Sequence, residues 1–487
     1  MTATDHRPGP DHAARATQPA DGTGPGTGTG PGAAAGPGAA AGPGAAADPG
    51  AAAAAATDAI LADTLSHTAR GVVVDSPPGA GKSTLVVRAA REIAATGRPL
   101  MIVAQTNAQV DDLVERLATA EPELGVGRLH SSDAHPYDPA LDRHAQVRTS
   151  AKAADLAGLP VVVSTAAKWA HVRPPDDVPW QHAIVDEAYQ MRSDALLAVA
   201  RLFQRALFVG DPGQLDPFSQ VGTDQWAGLS HDPSASAVTA LLAHHPDLPQ
   251  HRLPVSWRLP ASAAPLVSRA FYPYTPFRSG TGPGERRLAF GAGADGSAVD
   301  GVLDEAARSG WGLLELPAAH TPRTDPQAVA AVARVVGRLL AREAVTADER
   351  TPRPVPLTAD RVAVGTAHRD QAAAVRAALT ALGVTGVTVD TANRLQGREY
   401  DVTVVLHPLS GRPDATAFHL ETGRLCVLTS RHRHACVVVC RAGVPELLDD
   451  HPSAEPVTLG VPVRFPDGWA AQQTVLAELG AHRVTQA

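Results

Sequence analysis

The segment Gly79-Ala80-Gly81-Lys82-Ser83-Thr84 stands between an apolar run, residues 72–74, and an amphipathic stretch rich in Val, Ala and Arg. A glycine-containing turn that opens a helix aims backbone N–H groups and the positive end of the helix dipole at an anion. The lysine that follows can reach β- and γ-phosphates, and the hydroxyl beside it can ligate Mg²⁺. Lys82 and Ser83 are the candidates for these roles, with Gly79, Ala80, Gly81 and Thr84 completing a phosphate cradle for ATP. Ser76 stands where the first glycine of such a loop is usual, which is acceptable if its φ stays negative. An acidic pair, Asp186-Glu187, follows a second apolar run, residues 183–185. At the C-terminal edge of a parallel strand, Asp186 would hold Mg²⁺ while Glu187 orients and deprotonates an attacking water. A third run ends in Val209-Gly210-Asp211-Pro212-Gly213-Gln214, whose Gln214 amide is placed to sense a γ-phosphate.

These groups work only if one scaffold brings the three runs to a common edge. Continuous apolar runs at residues 72–74, 101–104, 161–163, 183–185 and 206–209, separated by helical patterns, predict a parallel sheet covered on both faces. A second series at residues 313–316, 362–364, 387–389, 402–406, 425–428 and 436–439, with helices over 327–340 and 370–382, predicts a second such unit. The fold class is therefore α/β, two similar tandem units built on parallel sheets, the first carrying the P-loop. The expected divisions are a low-complexity tail at 1–56, a first domain at 57–262, a second at 263–450, and a C-terminal extension at 451–487 with an amphipathic pattern near 470–479.

The tail is nearly all Ala, Gly, Pro, Thr and Asp, with Gly-Pro-Gly-Ala-Ala-Ala repeated from Gly30, Gly36 and Gly42. The alanine triplets break the glycine period of collagen, so a flexible disordered linker is expected, and any protein partner would attach there. No stretch has the length and apolarity of a signal peptide or a bilayer span, which points to a cytoplasmic protein without membrane contact. Cys426, Cys436 and Cys440 lie in or beside strand-like runs without metal-ligand spacing and are expected to pack as small hydrophobes. A net charge of −8 excludes a uniformly basic coat for nucleic acid but permits a local basic groove. Lys82, Lys152 and Lys168 are the only lysines.

Further segments occur in a fixed order. They include residues 102–111 around Gln105-Thr106-Asn107, Ser164-Thr165 at a strand end, and Val255-Ser256-Trp257-Arg258-Leu259-Pro260 followed by Phe271-Tyr272. Then come Thr366-Ala367-His368-Arg369-Asp370-Gln371, Gln396-Gly397-Arg398-Glu399-Tyr400-Asp401, and Arg424 through Arg433. Together with the phosphate loop and acidic pair, this set resembles superfamily 1 helicases, most like the branch of the nonsense-mediated-decay RNA helicase and its DNA-acting relatives. The likeness extends over most of residues 70–440. It implies that Arg258 and Arg431 act as arginine fingers across the seam between the two units. It also implies nucleotide contact or coupling for Gln396, Gly397, Glu399 and Arg433.

By the same resemblance the partner is single-stranded or duplex DNA or RNA, and the core a monomer. Phosphates of the strand are expected at Thr106, Asn107, Ser164 and Thr165, with Lys168 a candidate charge contact. Trp169 is a candidate stacking platform, though core is the commoner place for a tryptophan. The family's adenine-reading glutamine ahead of the phosphate loop has no counterpart, since no Gln stands between Gln18 and Gln105. The segment 57–70 is then expected to hold the base by packing and to admit other nucleotides. The function expected is an ATP-driven helicase or translocase. The alternatives are a nucleic-acid- or protein-gated ATPase switch that does not unwind, and a small-molecule phosphotransferase.

Overall fold

The computed structural model describes residues 48–66, 68–131, 137–173, 179–215, 217, 226, 232–233, 235–453 and 465–486. Residues 1–47 of the tail, Asp216 of the sensor turn and residues 454–464 of the extension lie outside the described residues.

Eight strands form the first sheet: β1 Gly71–Asp75, β2 Leu100–Ala104, β3 Val126–Leu129, β4 Val147–Ser150, β5 Val161–Thr165, β6 Trp180–Asp186, β7 Phe203–Gly210 and β8 Gln250–Arg252. Their order is β4-β3-β5-β2-β6-β7-β1-β8, and every pairing is parallel. Alternate side chains supply two cores. Val72, Val74, Ile102, Val163 and Ile184 face one layer of helices, and Val73, Met101, Val103, Val162 and Val185 face the other. That two-sided burial is why the runs show no polar alternation. Because β1, β7 and β6 are adjacent, the loops that follow them meet at one edge.

A connector holds β9 Val255–Ser256 paired with β10 Arg278–Ser279, and an antiparallel ribbon of β11 Arg287–Phe290, β13 Ala344–Ala347 and β14 Val355–Pro356. The second sheet comprises β12 Trp311–Leu316, β15 Val362–Thr366, β16 Thr388–Thr391, β17 Tyr400–Leu406, β18 His432–Arg441 and β19 Arg483–Thr485. Its order is β16-β15-β17-β18-β12-β19, again all parallel and buried on both faces. The molecule thus has two RecA-like α/β sheets in tandem.

Three expectations need correction. Residues 425–428 form part of a helix, Thr422–Thr429, not a strand, and all but the first residue of that helix are buried. An element buried all round loses the periodicity that separates helix from strand. The tail ends sooner than expected, because a helix spans Pro49–Ser66. Six alanines, Ala51–Ala56, are strong helix formers, Pro49 suits the first turn, and the Asp48 carboxylate accepts from Ala51 N at 2.9 Å. Ile60 and Leu61 then anchor the helix in the first core. The C-terminal segment, finally, is no appendage: helix Gly468–Gly480 buries Ala471, Val475 and Leu479 in the second core, and β19 lies beside β12. The three cysteines are free and buried, Cys426 on the helix and the others on β18. Among the described residues no helix is long and apolar enough to cross a membrane.

Candidate nucleotide site at the seam

Gly79 and Gly81 hold the phosphate loop open at φ 69° and 90°, conformations that cost a side chain dearly. Gly81 precedes the helix Lys82–Ala95, so Lys82, Ser83 and Thr84 form its first turn. Ser76 keeps a φ outside the positive range, as its place in the loop requires. Its amide donates to Gly210 O of β7 at 2.8 Å, while its buried hydroxyl has no partner.

Lys82 is paired with Glu187 Oε1 and lies 3.6 Å from Asp186 Oδ1. Burial disfavours its charge, but the two carboxylates outweigh this and raise its pKa above the ordinary lysine value. Asp186 is shifted upward by burial, opposed by Lys82. Its Oδ1 accepts from Glu187 N at 3.0 Å, and Glu187 sits at φ 52°, a strained backbone for a residue with a side chain. Gln190 Nε2 donates to Glu187 Oε2 at 2.8 Å.

Beyond β7, Asp211 organises the sensor turn. Its Oδ1 accepts from Gly213 N at 3.1 Å and from the Tyr272 hydroxyl at 2.6 Å, while Oδ2 accepts from the Gln214 amide. Burial pushes the Asp211 carboxyl up to about 6, against the opposing pull of the Tyr272 and Gln214 donors. Gln214 Oε1 is left buried without a partner among the described residues. Sequence reasoning assigned Asp211 and Tyr272 no role; a carboxylate between two turn-forming residues was the available signal.

Both arginines reach this cluster. Gly79 O accepts from Trp257 N at 2.8 Å, Pro78 O from the Ser256 hydroxyl at 2.6 Å, and a Cβ on Gly79 would fall 2.2 Å from Arg258 Cβ. Arg258 therefore lies directly against the phosphate loop, with its Nε donating to Glu399 Oε2 at 3.2 Å. Arg431, 1% exposed, donates from Nη2 to Ser430 Oγ at 2.9 Å, but its Nε and Nη1 have no partner among the described residues. Burial, and then the Arg258 charge, draw its guanidinium down to about 10. The helix that leads to Arg431 presses on the sensor turn: a Cβ on Gly423 would fall 2.4 Å from Gln214 C.

Glu399 also lies 3.5 Å from Arg433 Nη1, and these two arginines hold its pKa below the ordinary glutamate value although burial alone would raise it. Gln396 and Gly397 follow a short helix, Ala392–Leu395, with Gly397 at φ 79° and Gln396 Nε2 buried without a partner.

The residues expected to touch a strand divide. Thr106 caps the helix Asn107–Ala120, accepting from Gln109 N, and Asn107 accepts from Arg128 at 3.1 Å. Thr165 caps a short helix by accepting from Lys168 N at 3.2 Å, and Lys168 Nζ donates to Ala151 O at 2.9 Å. Ser164 is fully buried and donates to Leu129 O at 2.6 Å, so its hydroxyl is committed to the fold. Trp169 is fully buried too, with Nε1 donating to Ile102 O at 2.9 Å and its ring edge-on to Trp180. It is core rather than a stacking platform.

A family model described as an AAA domain matches residues 54–235, and a second AAA-domain model matches residues 319–443. No curated protein matches the sequence. Among solved structures, the arterivirus nonstructural protein 10 helicase is similar at 14% identity and a TM-score of 0.41, covering 79% of this chain and 61% of that one. The PRRSV helicase is similar at 14% identity and a TM-score of 0.39, covering 89% and 66%. The DUF1998 helicase MrfA bound to DNA is similar at 9% identity and a TM-score of 0.44, covering 83% and 52%. The chain thus spans less than two thirds of the length of each of these three structures. The two AAA-domain matches lie in tandem, the first over the sheet that carries the phosphate loop and the second over most of the other sheet, the arrangement of a nucleotide-binding P-loop protein.

Proposed function

We propose that the chain is a nucleic-acid-stimulated helicase or translocase that hydrolyses ATP between its two units, divided near residue 262. The observation that carries this reading is that Arg431, a buried cation of the second unit with two donors to spare, lies close to Arg258 and to Asp211 of the sensor turn. Unpaired guanidinium donors near Arg258, which itself packs on the left-handed glycine loop, fit a polyphosphate that would accept from both.

In this reading Gly79, Ala80, Gly81 and Thr84 cradle the phosphates and Lys82 leaves Glu187 for the γ-phosphate. Ser83 and Asp186 would hold Mg²⁺, which when bound neutralises charge between the β- and γ-phosphates. Glu187 orients a water and takes its proton as the water oxygen bonds to the γ-phosphorus and the bond to the β-phosphate oxygen breaks, giving ADP and inorganic phosphate. Gln214 contacts the γ-phosphoryl oxygens, and Arg258 and Arg431 stabilise the charge that spreads over them. Gln396, Gly397 and Glu399 line the second unit's side of the seam, where Glu399 steers Arg258. Closing the seam on ATP and releasing it after hydrolysis would alternate the grip on a strand near Thr106, Asn107, Thr165 and Lys168, provided each state binds the strand differently. The absence of an adenine-reading glutamine makes activity with several nucleoside triphosphates part of the proposal.

The test is ATP hydrolysis at low salt, alone and with single-stranded DNA or RNA, beside Lys82→Ala and Glu187→Gln. Stimulation by a strand, with loss of about 10³-fold or more in both variants, is expected. Hydrolysis unmoved by either nucleic acid would favour a protein-gated switch, and equal rates in wild type and variants would remove the assigned site.

A further inference from the structure

Both carboxylate oxygens of Glu187 are occupied. Oε1 is held by Lys82, on the phosphate side, and Oε2 by the amide of Gln190 at 2.8 Å. The two donors together fix the carboxylate in one orientation, with Oε1 turned to the lysine and Oε2 to the amide, so that it is not free to turn toward an attacking water. The Lys82 contact is one that a γ-phosphate would take over. The Gln190 contact points elsewhere.

Gln190 lines a cavity of about 320 Å³ at the seam, together with Gln105 from the end of β2 and Asn393 and Gln396 from the second unit. Of these lining residues, Gln105 and Gln396 have amide nitrogens that are buried without partners among the described residues. Leaving a buried donor unmatched is costly, and two such donors beside one cavity, one from each unit, fit a ligand rich in hydrogen-bond acceptors. The cavity adjoins Leu215, next to the sensor Gln214, so an occupant would sit within reach of both the base and the sensor.

We infer that Gln190 is a positioning residue, a latch that holds Glu187 until acceptor atoms of a nucleic-acid strand enter this cavity and draw its amide away. Hydrolysis then requires two keys, ATP to remove Lys82 from one oxygen and the strand to remove Gln190 from the other. The inference rests on the reading of the site proposed above. It explains how occupancy of a cavity on the far side of Glu187 reaches the chemistry without any rearrangement of the sheets.

The experiment is steady-state hydrolysis by the full chain carrying Gln190→Met, which keeps the length of the side chain and removes the donor. Gln190→Ala serves as a second variant, and thermal melting establishes that both fold. The rate without nucleic acid should rise about fivefold, the factor equivalent to ~1 kcal/mol, and the ratio of stimulated to unstimulated rate should fall toward one. A simple structural role would lower both rates together. A strand-free rate that does not rise in either folded variant, whether the wild-type rate is measurable or zero, overturns the latch. Failure of the broader reading looks different: a wild-type chain indifferent to every strand whose Gln190→Met variant is still faster keeps the latch and loses the nucleic-acid partner.

Discussion

The two units bring opposite electrostatic situations to the seam. On the first sheet's edge Lys82 is neutralised by Asp186 and Glu187, and Asp211 is wrapped by three donors. On the second unit's side Arg431 is buried beside another arginine, with two of its nitrogens unmatched. A protein optimised for stability alone would neutralise such a cation or replace it with an apolar side chain. The difference teaches that the first unit's charges are met within the protein, while the second carries an unmet demand for an anion. The stability given up at Arg431 is what a phosphate would restore.

Removing that demand should have the largest effect. Arg431→Leu is expected to reduce the rate of ATP hydrolysis about 10³-fold, the usual worth of an arginine finger. The same change should raise the melting temperature of the nucleotide-free protein, since an unpaired buried charge has gone. A variant that loses both activity and stability would mean that Arg431 is matched in solution and the asymmetry is false.

Asp211 tests the opposite side. Burial lifts its pKa from the ordinary aspartate value to about 6, so the protonated form is favoured by folding. Its contribution to stability is therefore full below pH 4 and lost as the pH rises through 6, a change of about 3 kcal/mol at most by linkage. Asp211→Asn should flatten the pH dependence of unfolding free energy over that window in denaturant titrations. An unchanged slope would show that its three donors fully offset the burial.

The smallest expected effect comes from Gly423→Ala, which places a methyl group 2.4 Å from the Gln214 carbonyl carbon. Overpacking of this kind costs about 2 kcal/mol. Because it separates the sensor turn from the helix leading to Arg431, strand-stimulated hydrolysis should fall more than nucleotide affinity does. Equal losses in both would place the damage in the fold rather than at the seam.

Much of the scaffold was legible because short apolar runs such as residues 72–74 and 183–185 are buried on both faces, and chemistry-bearing residues follow them directly. Lys82, Asp186, Glu187 and Gln214 fall on neighbouring strand ends for that reason. The same property misled at residues 425–428, where burial on all sides erased the helical period. β3, β4 and β8 were missed for a different reason: Val126–Leu129 and Val147–Ser150 carry arginine, and Gln250–Arg252 has no aliphatic residue. Their membership depends on a neighbour's hydrogen bonds. Ser164 and Trp169 followed strand-end motifs, yet whether such a side chain points inward depends on packing, and here both do. Gln190 stands three residues after its partner Glu187, but the cavity that it lines arises only when the two units meet.

The placement of β19 has a consequence for synthesis. β12 pairs with β18 on one side and with β19 on the other, so its outer edge stays open until residues far along the chain have been made. On a ribosome, Trp311–Leu316 emerges early as a strongly apolar strand with an unpaired row of backbone donors and acceptors, the template on which β-aggregation begins. A chain cut before residue 483 would keep every catalytic candidate and still carry that open edge, so its yield in soluble form, more than its chemistry, would register the loss.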